Sequence, residues 1–187
     1  MNYVERRRFL WILLLGGLLL IAIVLNATTF ARLRLEDLAQ NAGAVARLRC
    51  VSALSRWEQG EIWTDTRFEV LAAEKGTLPR FVTVRTPGGR VRELESHVDG
   101  APRFLPGEEV YLFLWGQKGE PYRVLGWVQG TFRITRDPAT KRERVTQDSA
   151  AMPVFDPQRR EFRREGFRSL PVTEFLARLR RALAEAQ

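Results

Sequence analysis

The hydrophobic positions of this chain change period three times, and each change predicts a different element. From Phe9 to Leu25 the residues are almost all Leu, Ile, Val, Trp and Gly, with no charge. As a helix this run spans about 26 Å at ~1.5 Å per residue, slightly less than the ~30 Å of a bilayer core. From Phe30 to Ala42, Leu35 and Leu38 stand three apart with Ala31 and Ala42 four further out, the spacing of a short amphipathic helix that Gly43 ends. The period then becomes two.

Between Ala44 and Arg56, Ala46, Leu48, Cys50 and Leu54 alternate with Val45, Arg47, Arg49 and Val51, one greasy side against one wet side. Glu58-Gln59-Gly60 supplies a reversal, after which Ile62, Thr64, Thr66, Phe68, Val70 and Ala72 alternate with Trp63, Asp65, Arg67 and Glu69. A third strand is expected over Phe81 to Arg85, closed by the turn Thr86-Pro87-Gly88-Gly89. Residues 90–107 lack any period and contain His97, Pro102, Pro106 and Gly107, so they read as a long, ligand-facing loop.

Val110 to Trp115, VYLFLW, is apolar at every position, as in a strand covered on both faces or the central strand of a closed barrel; Trp115 and Trp127 are read as core. Strands follow over Tyr122 to Trp127, Thr131 to Thr135 and Lys141 to Thr146. From Ala150 to Leu170 the pattern dissolves into prolines and arginines, and Val172 to Ala186 forms a final helix with Phe175, Leu176, Leu179 and Leu183 on one stripe. The predicted fold is mainly β: a small antiparallel OB-like barrel, preceded by an N-terminal apolar helix and flanked by short amphipathic helices. The segments are 1–27, signal peptide or signal anchor; 28–43, short helix; 44–148, barrel; 149–171, connector; and 172–187, C-terminal helix.

Charge bears on location. Arg6, Arg7 and Arg8 precede the apolar run, so the remainder is expected outside the cytoplasm, either secreted or periplasmic after cleavage near Ala27 or held by a retained transmembrane helix in the inner membrane. In the second case residues 9–25 contact the membrane. The whole chain carries +8, and removing residues 1–27 takes away three arginines and Glu5, which leaves +6. A basic surface favours anionic partners.

The catalytic inventory is poor. One His and one Cys rule out a His-rich zinc site, and a Cys/His dyad would need Cys50 and His97 to meet. Glu93 with Glu95 and Glu108 with Glu109 read as solvated acids, and Gly88-Gly89 as a turn and no phosphate loop. No cofactor, metal or enzymatic activity is expected. Candidate ligand-binding residues are Arg47, Arg49, Trp57, Trp63 and Arg67, aromatics beside arginines on one barrel face. The expected role is a binding or accessory module of the cell envelope. Its partner is an envelope protein or an anionic glycan, export favouring glycans over nucleic acid.

The segments ATTFARLRLEDLAQ, CVSALSRWEQGEIWTDTRFEVLAAEKGTLP, VTVRTPGG, PGEEVYLFL and VLGWVQGTFRITRDPAT, in that order, resemble a group of uncharacterised bacterial exported proteins. In that group the Ala-Thr-Thr-Phe segment follows a signal peptide. Glu69 to Gly76 ahead of Gly107 to Leu114 also resembles the OB-type barrel of the netrin-like and tissue-inhibitor-of-metalloproteinases group, which implies a protease-interacting role. Those inhibitors use an N-terminal cysteine and several disulfides. Cys50 alone, in mid-strand, does not carry that chemistry over.

Overall fold

A computed structural model describes residues 31–186 apart from positions 118, 152, 157 and 158. Helix α1 (Leu35–Asn41) is shorter than the periodicity predicted, because the Asp37 carboxylate accepts the backbone N–H of Arg34 and starts the helix there. Strands β1 (Ala44–Glu58) and β2 (Glu61–Lys75) then form the long hairpin expected. Its loop is two residues, Gln59 and Gly60, both at positive φ (51° and 89°). That left-handed pair matches the twist of the flanking strands, and glycine adopts it without a Cβ penalty.

Strands β3 (Phe81–Pro87), β6 (Glu109–Trp115), β7 (Arg123–Val124), β8 (Thr131–Arg136), β9 (Glu143–Gln147) and β12 (Leu170–Pro171) join the hairpin in one antiparallel sheet, ordered β12-β9-β8-β6-β1-β2-β3 with β7 on β6. Two small hairpins stand apart: β4 (Gly89–Val91) with β5 (Leu94–Ser96), and β10 (Val154–Asp156) with β11 (Glu161–Arg163). The second pair, with β12, gives Ala150 to Leu170 more order than its composition predicts. Helix α2 (Val172–Glu185) closes the fold.

The mainly β class is therefore correct, but the OB-like barrel is not. The sheet is open, its strand path ending at β12 and β3, although a bridge from Val84 to Tyr122 ties β3 to the approach to β7. Closure would need a full ladder at that seam, and register between distant strands sets this, not local alternation. The expected transmembrane helix finds no counterpart either, since no helix among the described residues is long and apolar enough to cross a membrane. The run Phe9–Leu25, with its signal or anchor reading, lies outside the described residues.

Strand β6 explains its own composition. Tyr111 and Phe113 project into one core with Val45, Phe132 and Val145 of the sheet, Leu38 of α1, and Phe175 and Leu179 of α2. Val110, Leu112 and Leu114 project into a second core with Ala46, Leu48, Cys50, Phe68, Val82, Val84 and Phe104. From Val110 to Leu114 both faces are covered, so none of these five positions tolerates a charge. In the first core Phe175 packs 5.1 Å from Tyr111 and 5.0 Å from Phe132, centroid to centroid. In the second, Phe68 and Phe104 meet edge to face at 5.0 Å.

Fifteen residues of straight strand would reach about 50 Å. The β1–β2 ladder is instead interrupted at three register irregularities, two that skip Glu74 and Leu71 of β2 and one that leaves Val51 of β1 unpaired between Cys50 and Ser52, and such bulges bend a strand. Each side chain beyond Val51 changes face. Leu54, on the greasy side of the alternation, is thereby turned out and is 64% exposed.

Candidate ligand cleft

The residues expected to bind ligand are spread along the hairpin. Arg47 lies near its base, where the guanidinium spans Glu109 of β6 (Nε to Oε2, 3.0 Å) and Glu143 of β9 (Nη2 to Oε1, 2.9 Å). Arg49 pairs with the same Glu109 at 2.9 Å and with Glu69 at 3.6 Å. Hydrogen bonds from Arg47 and then Arg136 hold the Glu143 carboxyl at about 2. Burial raises Glu109, but the hydrogen bonds from Arg47 and Arg49 more than offset this and leave it below the usual carboxylate range. These arginines complement the protein's own acids. Arg67 is exposed and stacks over Phe81, 4.4 Å from the ring centroid.

Trp57 and Trp63 lie at the far end. The pairing of Arg47 with Ala72 and of Arg56 with Trp63 puts nine residues, about 30 Å of strand, between Arg47 and Trp63. Trp57 pairs with Ile62 and Trp63 with Arg56, so the two tryptophans stand on opposite faces. The five residues form no single site. Of them, only Trp63 lines a hollow shared with other aromatics.

That hollow, about 380 Å3, is lined by Trp63, Arg85, Pro87, Trp115, Arg123, Val124 and Trp127. Pairing builds most of it: Trp63 of β2 lies beside Pro87 of β3, and Trp115 of β6 beside Arg123 of β7. Trp127 opens a 3-10 turn (Trp127–Gly130) behind Gly126, and its φ of 52° is unusual for a bulky residue. Such a conformation costs on the order of 1–3 kcal/mol and persists only where surrounding structure enforces it. Thr131 does so in part, its hydroxyl donating to the Trp127 carbonyl at 2.9 Å. Three of the chain's five tryptophans meet here. Trp115, expected as core, is 48% exposed, and Trp127 is half-buried.

The two arginines differ. Arg85 donates to Asp65 from Nε (2.7 Å) and Nη2 (3.0 Å) and lies 3.2 Å from Glu58, an arrangement that raises its pKa and lowers that of Asp65. Its charge is committed. Arg123 is half-buried with its guanidinium carbon 5.0 Å from the Trp63 ring centroid, and among the described residues no carboxylate pairs with it.

Larger hollows are less suited to a ligand. One of about 740 Å3 runs past α2 and the Arg32–Glu36 stretch, but its buried Gln129 is consumed by Leu33 N–H (2.7 Å) and the Ala31 carbonyl (2.9 Å). Another of about 830 Å3, beside Leu78 and Pro121, also borders Arg85 and includes the paired Arg56 and Asp65. The loop expected to face ligand, residues 90–107, contributes nothing to the tryptophan cleft. It folds into β4–β5 and sends Phe104 into the core.

Cys50 is buried, with its thiol pKa raised by burial and then by Glu108. His97 is exposed beside Asp99 at 3.2 Å. Among the described residues no group of three or more His, Cys, Asp or Glu could hold a metal ion. Compared with known proteins, the chain matches no family model, no curated protein and no solved structure. The resemblance noted in the sequence therefore rests on the quoted motifs alone.

Proposed function

We propose that the protein is a non-enzymatic binding module whose ligand site is the tryptophan cleft. One observation carries this reading: three tryptophans from β2, β6 and the turn after β7 converge on one open hollow beside a cation that has no carboxylate partner among the described residues. Packing alone does not account for Trp115, whose exposed half adds apolar surface to water. Binding of an anionic polymer on the face carrying Arg47, Arg49 and Arg67 is disfavoured, because Glu109, Glu143 and Glu69 already neutralise the first two arginines.

Tryptophan emission of the full-length chain, titrated with separate panels of oligosaccharides, peptides and oligonucleotides, tests the reading. At least one probe should quench the native chain and leave Trp115→Ala unchanged. If no probe does so, or if quenching survives the substitution, the cleft is not the binding site.

A further inference from the structure

The chemistry of the cleft narrows its ligand to one class, on the premise that the cleft is the binding site. Three kinds of molecule favour a wall of tryptophans: a quaternary ammonium, a nucleobase and a sugar. The first is excluded by charge. Aromatic cages attract cations through the electron-rich ring face, and Arg123 already occupies that face of Trp63 at 5.0 Å. With Arg85 also in the lining, an arriving ammonium would meet two guanidinium groups.

A nucleobase fits poorly for a different reason. Its readable edges present donors and acceptors side by side, so a site that reads one needs both. Every polar side-chain group of the lining is a guanidinium or an indole N–H, a donor type, and none is an acceptor. The donors of a base would find no acceptor among these side chains, so the site could not read its edge.

An acidic sugar meets each condition. Its carboxylate or sulfate is rich in acceptors, its C–H face is apolar, and its hydroxyl donors can stay in water because Trp115 leaves the cleft open. A volume of about 380 Å3 lies at the small end of ligand pockets, which run roughly 300–1,000 Å3. That suits one or two rings of a chain whose remainder stays outside. We propose that the cleft binds an acidic sugar residue of a glycan, with its anionic group on Arg123 and its ring against the tryptophans. Arg85, fixed by Asp65 and Glu58, then acts as a rigid wall and Arg123 as the charge that selects the ligand.

Calorimetric titration of the full-length chain with a galacturonate oligosaccharide, its methyl ester and a single-stranded oligonucleotide tests this. The free acid should bind, the ester should bind about tenfold more weakly, and Arg123→Gln should lose a similar factor, as expected for one charge-assisted hydrogen bond. Arg49→Gln, distant from the cleft, should bind like the native chain, and an unchanged melting temperature in Arg123→Gln confirms that its fold is intact. Should Arg123→Gln fail to fold, the acid-to-ester ratio in the native chain decides. Equal binding of acid and ester, or tighter binding of the oligonucleotide, overturns the acidic-sugar assignment but leaves the cleft as a site. Acid binding that Trp115→Ala leaves unchanged overturns the cleft itself, and so does no binding by any of the three probes together with no hit in the wider panels.

Discussion

Replacing Arg47 by Met should convert a pH-dependent fold into one much less sensitive to acid. In the native chain this guanidinium ties β1 to Glu109 of β6 and to Glu143 of β9, and the three side chains are only 19–20% exposed. Glu143 titrates ordinarily at 4.5, and the fold, chiefly through Arg47, holds it at about 2. A folded value below the unfolded one gives stabilisation that is fully present above about pH 5 and disappears as the pH falls through 2. At 1.36 kcal/mol per unit the depression is worth roughly 3 kcal/mol. Removing the cation from a mostly buried pair also costs about 3 kcal/mol near neutral pH, because two carboxylates lose their main partner.

At pH 2.5 those carboxyls are largely protonated in the variant and need no partner, so the gap between native and variant should close to about 1 kcal/mol or less. Some pH dependence should survive in Arg47→Met through Arg136, the second donor to Glu143. Urea midpoints of both chains at intervals from pH 7 to pH 2.5 provide the measurement. A gap of constant size across that range would refute the reasoning, as it would show that Arg47 contributes packing and not charge.

Phe175→Ala should destabilise the fold by about 3–5 kcal/mol, measured by urea unfolding, since this fully buried ring meets Tyr111, Phe132 and Phe167. Gly89→Ala should lower the melting temperature measurably: at φ 132° its Cβ would fall 2.2 Å from Thr64 Oγ1 and 2.3 Å from Ser55 Oγ, two hydroxyls bonded to each other at 2.9 Å. The Cys50 thiol should resist an aromatic disulfide reagent until urea unfolds the chain; prompt reaction in the native state would contradict its burial and raised pKa. Trp57→Ala should change stability by less than about 1 kcal/mol, because the ring is 57% exposed, and should leave any ligand titration of the cleft unaltered.

What could be read from the chain was whatever depends on neighbouring residues. The β1–β2 hairpin follows from alternation and the Gln59-Gly60 turn, the double burial of β6 from VYLFLW, and α2 from a stripe of which Phe175, Leu179 and Leu183 are buried. Readings failed where distant segments decide. One unpaired residue, Val51, reverses the sidedness of everything after it in β1, and no local pattern announces it. Of the short strands near Ala150 to Leu170, β12 forms against the distant β9, while β10 and β11 pair with each other over only three positions, too short a run for alternation to announce. Trp115 and Trp127 read as core because apolar residues surround them in sequence. A tryptophan beside Gly116 at a strand end, and another beside Gly126, was the available sign that the chain turns there and leaves a large ring at the surface.

Strand β6 acts as a party wall between two dry compartments, one roofed by the helices and one lined by the long hairpin. Damage to the helical roof therefore strips only one side of the wall. Amide exchange in a weakened variant such as Phe175→Ala should fall into two tiers, with β8 and β9 exchanging early while β2 and β3 stay protected behind a barrier that the lesion does not reach.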